Sequence, residues 1–421
     1  MHPLQETTTP SVDPTLPYLD TPQAVDEFMR SIAHAPILAL DTEGASFHRF
    51  VDRIYLLQLS TTERSAIIDP LGMKAPPGLG TMLESPAVEV IFHDADYDLR
   101  LLHQDYGWHV RNIFDTRVAA QLLGLRAFGL AALLERYFDV KLEKKHQRAD
   151  WSMRPLTKDM LDYAAQDTRY LIELRNRMRA ELEGAGRWAW AEEEFQRLEG
   201  TRWSPDEEVA AFLRMKGARD LGRRELAVLR EIVQWRDMVA GELDRATFRV
   251  MSNEVLLEVA RAVDPSRETL GAIKGMPRSL LERRGAELVD AVRRGLAVPE
   301  SDLPRFPRAP RFDRDPDFDE NVSKLRTARD AAAARLDLDP GVLCSRDRLE
   351  TIARMQPDAV SGLSEVKDLR RWQIAELGDS FVSVFRGGKR APGTPPPAAP
   401  SVPAVPSVPV TPPASDSPYA D

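Results

Sequence analysis

The stretch Ile37-Leu38-Ala39-Leu40-Asp41-Thr42-Glu43 decides how the chain folds. Four consecutive apolar residues, with no helical period around them, read as a buried β-strand. That strand runs straight into Asp41-Thr42-Glu43. Alternate side chains of a strand share a face, so Asp41 and Glu43 point the same way. Two carboxylates held side by side repel, an arrangement that is costly unless a cation neutralises it.

Similar short runs lie further along the chain. Ile54–Ser60, Ser65–Pro70 and Val88–His93 read as three more strands. Pro22–Ala33 carries Val25, Phe28, Met29 and Ile32 at helical spacing, and Asp98–Tyr106 and Asp115–Leu125 read as helices, the latter capped by Asp115-Thr116. Strands mixed with helices from Tyr18 to Glu194 predict an α/β domain. After Trp203-Ser204-Pro205 the strands stop, and Ser204, Pro205 and the acids Asp206, Glu207 and Glu208 mark a helix start. Helical period continues to Gly295, Pro299, Pro304, Pro307 and Pro310 mark a linker, and helices resume from Asp319 to Arg386. The last stretch, Ala391–Asp421, has 11 prolines and no Lys or Arg, and is expected to be an extended, unpacked tail.

The two helical regions repeat one another. A shift of 93 residues aligns Arg236-Asp237 with Arg329-Asp330, Leu243-Asp244 with Leu336-Asp337 and Ala260-Arg261 with Ala353-Arg354. Over Arg236–Lys274 there are 11 identities in 39 positions, against about two or three expected by chance. The expected organisation is therefore a flexible N-terminus (1–17), an α/β domain (18–194), a first helical module (203–297), a proline-rich linker (298–317), a second module (318–388) and a disordered tail (391–421).

Composition narrows the class further. The 421 residues hold 57 Lys plus Arg against 66 Asp plus Glu, a net charge of −9, with 43% hydrophobic residues. An acidic total does not exclude a nucleic-acid partner, because electrostatic footprints are local. The single cysteine, Cys344, excludes an intramolecular disulfide and a cysteine-based zinc site. It points to a reducing compartment. Met1–Pro17 has no apolar core that could act as a signal peptide, and no apolar run nears the roughly 20 residues a membrane span needs. A cytoplasmic protein without membrane association is expected, with a monomer as the default.

More side chains join the Asp41–Glu43 pair. Asp98 opens a helix that follows the strand ending at His93, with Asp94 and Asp96 as rivals for its role. Tyr163 and Asp167, four apart in Tyr163-Ala164-Ala165-Gln166-Asp167, share a helix face. Hard oxygen ligands from strand and helices suit Mg²⁺ or Mn²⁺. Each element alone is ordinary: an Asp-x-Glu after a strand is usually a solvated turn. Their order and spacing together are specific.

On these motifs the sequence resembles ribonuclease D, within the 3′→5′ exonucleases that carry four acidic metal ligands and a tyrosine. The motifs are Asp41-Thr42-Glu43, then His93-x4-Asp98-Leu99, then Tyr163-x3-Asp167, preceded by Trp151-Ser152-Met153-Arg154-Pro155-Leu156-Thr157. The repeated modules resemble the helicase-and-RNase-D C-terminal (HRDC) domain, and two copies after the nuclease is the ribonuclease D arrangement. The resemblance implies a ribonuclease H-like mixed sheet flanked by helices, followed by two all-α bundles. It implies hydrolysis of 3′-terminal phosphodiesters of RNA to nucleoside 5′-monophosphates with two divalent cations, and RNA with a free 3′ end, tRNA precursors above all, as partner. By analogy Asp41 bridges both ions, Glu43 and Asp167 hold the one carrying the attacking water, Asp98 supports the other, and Tyr163 orients that water. A 3′→5′ DNA exonuclease, or a catalytically silent nucleic-acid-binding adaptor, are the alternatives; the presence of all five residues argues against the silent one.

Two departures stand out. Gly44 follows Glu43 where family members often carry a large residue, with Phe47 as a substitute contact for the terminal nucleotide. In the second module Asp368 replaces Gly275 of the first, so its loop is not expected to keep the same backbone conformation. Lys144, Lys145 and Arg148 are candidate RNA-backbone contacts, and Arg219, Arg223 and Arg224 a candidate phosphate patch. His93, at a strand end, reads as a structural histidine rather than a base.

Overall fold

The structure, a computed structural model, describes residues 16–142, 145–204, 210–262, 265–307 and 316–386. The expected flexible N-terminus up to residue 15, the helix-start signal at 205–209, the linker prolines from 308 and the proline-rich tail lie outside the described residues.

A six-stranded sheet forms the first domain: β1 (Tyr18–Leu19), β2 (Ile37–Glu43), β3 (Leu56–Ser60), β4 (Ser65–Ile68), β5 (Glu89–Phe92) and β6 (Ile113–Asp115), in the order β1-β4-β3-β2-β5-β6. β2 lies centrally, antiparallel to β3 and parallel to β5, and its register sets Asp41 opposite Gln58 and Glu43 opposite Leu56. The helices are α1 (Pro22–Ser31), α2 (Leu79–Leu83), α3 (Asp96–Tyr106), α4 (Thr116–Leu122), α5 (Leu130–Phe138), α6 (Lys158–Arg169), α7 (Leu171–Gly184) and α8 (Trp188–Leu198). Leu38, Leu40, Leu57 and Leu59 project from one face of the sheet onto Val25 and Phe28 of α1, Leu83 of α2 and Leu102 of α3. Ala39, Ile91 and Phe114 project from the other onto α4, α5, α7 and α8. The mixed sheet flanked by helices is the expected α/β architecture.

The chain continues as helices only: α9 (Ala211–Arg214), α10 (Arg223–Leu243), α11 (Thr247–Val250), α12 (Asn253–Arg261), α13 (Arg267–Gly271) and α14 (Arg278–Leu296), then α15 (Phe318–Leu336), α16 (Pro340–Leu343), α17 (Arg346–Met355), a 3-10 turn (Val360–Glu365) and α18 (Arg371–Arg386). Displaced by 93 residues, α11, α12 and α14 start where α16, α17 and α18 start, so the sequence repeat is a structural repeat. One expectation fails. Asp368 has φ 62° and Gly275 has φ 87°, so the second module keeps the left-handed turn of the first. Asp is among the few residues that enter this region at modest cost, because its short polar side chain bonds locally.

The repeat also governs docking. Asp244 and Asp337, equivalent residues, end α10 and α15 in the left-handed conformation at φ 44° and 50°. Each sets its carboxylate on the α/β domain. Asp244 accepts from Arg49 at 3.0 Å and from the Phe50 N–H at 3.3 Å, and Asp337 lies 3.5 Å from Arg126. The first module keeps its own core around Val228, Ile232 and Leu256. The second shares a core with the α/β domain, where Trp372 stacks on Trp190 at 4.8 Å and donates to Glu194 at 3.1 Å.

Candidate active site

β2 delivers Asp41 and Glu43 to the end of a buried apolar strand, and α6 crosses above them. α6 starts at Thr157, whose side chain accepts from the Met160 N–H, and buries Met160 and Ala164 against Leu56, Ile67 and Trp151. Thr168 bonds Ser60 of β3 at 2.8 Å, which fixes the rotation of the helix. Asp167 and Tyr163 then face the strand. Carboxylate oxygens of Asp41, Glu43 and Asp167 lie within 4.8 Å of one another.

Asp98 is placed differently. It is buried, and its Oδ1 accepts from the Thr42 N–H at 3.0 Å and the Thr42 hydroxyl at 2.5 Å. Thr42, between Asp41 and Glu43, thus ties α3 to β2. The rivals are otherwise engaged: Asp96 pairs with Arg100 at 2.7 Å and Asp94 with Arg117. The start of α3 is held instead by Asp115, buried, which accepts from the backbone N–H groups of Asp94, Ala95, Arg117 and Val118.

The electrostatics record the crowding. Burial, then the charge of Asp167, pushes the Asp41 carboxyl well above the usual range. Glu43 is pushed up by burial and by Asp41, Asp167 and Asp98, and Asp98 by burial and Asp41. Burial lifts Asp167 to about 7. Burial and the acids Asp167, Glu43 and Asp41 raise the Tyr163 phenol, so it stays protonated. Without a cation the cluster holds protons it would lose in water. Gln58, opposite Asp41, is 1% exposed, and neither of its amide atoms has a hydrogen-bond partner among the described residues. Three crowded carboxylates with raised pKa values are the donor environment a hard cation fits.

Asp41, Glu43, Tyr163 and Asp167 open onto a cleft of about 480 Å³, with His93, Arg117, Gln147 and Gln166 also on its walls. The Thr116 hydroxyl donates to the Phe92 carbonyl at 3.1 Å and sits 2.9 Å from His93 Nδ1. Burial pulls His93 down to about 4, so its ring is neutral at physiological pH and is held as a structural element. Arg117, Gln147, Gln166 and the Thr42 tether were not singled out by the sequence; their positions depend on contacts between distant elements.

The weaker candidates fall outside this cleft. Phe47 stands edge-on to Phe248 of the first module at 6.2 Å, with Arg148 over its ring at 5.2 Å. The space beside Gly44 is taken instead by Tyr97, whose hydroxyl donates to Asp52 at 2.6 Å and sits where a Cβ on Gly44 would be. Lys145 pairs with Asp159 at 3.1 Å, and Lys144 lies outside the described residues. The expected phosphate patch is a clamp. Arg223 and Arg224 donate to carbonyls between Leu296 and Leu303, and Arg219 covers Phe306.

Comparison with known proteins agrees with this arrangement. Residues 17–183 match a family model described as 3′-5′ exonuclease, and residues 225–292 and 319–384 match the HRDC domain. The chain is 30% identical to ribonuclease D of Granulibacter bethesdensis over 363 residues, 85% of this chain and 89% of that protein. It is 30% identical to ribonuclease D of Desulfotalea psychrophila over 289 residues, 68% of this chain and 77% of that protein. The crystal structure of Escherichia coli RNase D, an exoribonuclease involved in structured RNA processing, superposes with a TM-score of 0.68 at 25% identity, covering 89% of this chain and 99% of that one.

Proposed function

Because the chain belongs to the ribonuclease D family and is a 3′–5′ exoribonuclease, we propose that Asp41, Glu43, Asp98 and Asp167 hold two divalent cations, Mg²⁺ or Mn²⁺, at which RNA is trimmed from its free 3′ end. The observation that carries this reading is the set of three partly buried carboxylates within 4.8 Å, each with its pKa raised. Such a set favours cation binding because each ion removes a repulsion already built into the fold.

When bound, the cations supply a nucleophilic water at neutral pH and stabilise the leaving 3′ oxygen. The protein supplies the rest. Thr42 fixes Asp98, so the fourth acid approaches the site in one orientation. The protonated Tyr163 hydroxyl is a hydrogen-bond donor at the cleft wall, suited to orient the attacking water rather than to deprotonate it. The product is a nucleoside 5′-monophosphate. We take structured RNA with a free 3′ end, tRNA precursors above all, as the substrate, in keeping with the structured RNA processing of Escherichia coli RNase D, and a cytoplasmic monomer as the acting form. Among the described residues no helix is long and apolar enough to cross a membrane.

Matched RNA and DNA oligonucleotides with free or blocked 3′ ends, incubated with Mg²⁺, Mn²⁺ or chelator, test the proposal. Mononucleotide release from the free-ended RNA in either metal, and none in chelator, is expected. Equal turnover of blocked ends, or turnover in chelator, would overturn it; preference for DNA would replace the substrate.

A further inference from the structure

A second cavity, of about 380 Å³, lies between the α/β domain and the second helical module. Gln121 and Phe128 of the α/β domain wall one side, Arg197 of α8 another, and Arg348 and Arg370 of the second module a third. Three arginines therefore line one space. The buried carboxylate of Glu194 accepts from Arg370 at 3.1 Å and from Arg197 at 3.3 Å, so one acid serves two arginines. Arg348, half-buried, has no acidic partner among the described residues. The other acid on the wall, Asp339, accepts from the Gly341 N–H and lies 4.0 Å from Arg126, outside the cavity wall. Burial and the neighbouring Arg197 and Arg348 act together to pull the Arg370 guanidinium down, against the opposing charge of Glu194. Converging cations that outnumber their acids are the mirror image of the carboxylate cluster, and an anion relieves them.

The cavity adjoins the catalytic cleft. Arg117 of α4 lines the cleft, and Val118 and Gln121 of the same helix line the cavity. At about 1.5 Å rise per residue, Gln121 lies only ~6 Å further along the axis. Phe128 lines the cavity and the next residues, Gly129 and Leu130, line the cleft. Arg117 lies over the Phe128 ring at 5.1 Å, so these two side chains form the wall between the spaces. A strand whose 3′ end occupies the cleft finds this wall and the arginines behind it within a short reach.

We propose that this interdomain cavity receives a backbone phosphate of the RNA strand upstream of the scissile bond, with Arg348 as the free contact and Arg197 and Arg370 as its fixed neighbours. The proposal rests on the exoribonuclease activity and not on the metal assignment.

Arg348→Gln in the full chain tests it, because among the described residues the Arg348 side chain makes no hydrogen bond or ion pair whose loss would loosen the domains. The substrates are a long single-stranded oligoribonucleotide and the shortest oligomer the native protein degrades. For the long RNA, KM should rise about threefold or more with kcat unchanged, and the slope of log KM against log salt should fall by about 0.7, one phosphate contact on a single strand. The shortest oligomer should keep its KM, and Arg348→Lys should restore most of the loss on the long one. An unchanged KM for long RNA would overturn the proposal, as would an equal change for both lengths. If the variant loses only its inhibition by inorganic phosphate, the cavity is a free-phosphate site and the RNA assignment falls. Continued degradation of the shortest oligomer by both proteins keeps the catalytic assignment separate from this one.

Discussion

Replacing Asp167 with Asn should stabilise the metal-free protein while disabling it. Burial holds the Asp167 carboxyl at about 7, against 3.8 for the same group in water. A carboxyl raised in the folded state keeps its proton there while the unfolded chain loses it, so stability falls as pH rises from about 4 to 7 and stays low above. The full difference corresponds to ~4 kcal/mol. The group is only partly buried, and water reaching it reduces this to ~2–4 kcal/mol. For a domain of this size that is ~5–15 °C in Tm. Asn removes the charge, and Asp167 makes no side-chain hydrogen bond among the described residues that would be lost. It also relieves Asp41 and Glu43, both pushed up by Asp167. His93 runs the other way: held near 4, it adds stability as pH rises from 4 to 6.5. Native and variant proteins share His93, so it cancels in their difference. Melting curves in chelator should coincide near pH 4 and separate by pH 8, with the variant higher; Mg²⁺ should raise the native protein and leave the variant nearly unmoved. A variant that melts at or below the native protein at pH 8 in chelator would refute the reasoning, as would a gap of the same size at pH 4.

Three other substitutions follow from the geometry. Tyr163→Phe should lower kcat by ~10²-fold with metal affinity unchanged, measured by single-turnover hydrolysis and Mn²⁺ titration; lost metal affinity would contradict the water-orienting role. Gln58→Leu removes two unpaired buried amide atoms and should raise the unfolding free energy of the metal-free protein by ~1–2 kcal/mol in urea titrations, while raising the metal concentration needed for half-maximal activity. Gly44→Ala places a methyl against the Tyr97 hydroxyl and should cost ~1–3 kcal/mol in urea unfolding. In a Tyr97→Phe background the same change should cost less, because the clashing oxygen is gone.

What the sequence made legible follows from how local each signal is. Asp41 and Glu43 on a strand, and Tyr163 and Asp167 on a helix, are fixed relative to each other by backbone period, so their shared faces are written in their spacing. The module repeat was legible for the same reason, and its element starts coincide at the 93-residue shift. β1 and β6, two and three residues long, are too short to carry a period in the sequence. Thr42 holding Asp98, Gln58 opposite Asp41, and Tyr97 beside Gly44 pair distant residues, and no local pattern encodes them. Arg219, Arg223 and Arg224 show the converse failure: a basic cluster looks the same whether it awaits phosphate or clamps carbonyls. Asp368 keeps a left-handed turn that the loss of a glycine argued against, because its short polar side chain lowers the cost of that conformation.

The most direct test counts bound metal. Equilibrium dialysis with Mn²⁺ should find two ions per native chain, and fewer in Asp41→Asn, whose fold by circular dichroism is unchanged. If the native protein and Asp41→Asn bind the same number of ions with the same affinity, the four acids are not the metal site and the account of catalysis given above is wrong.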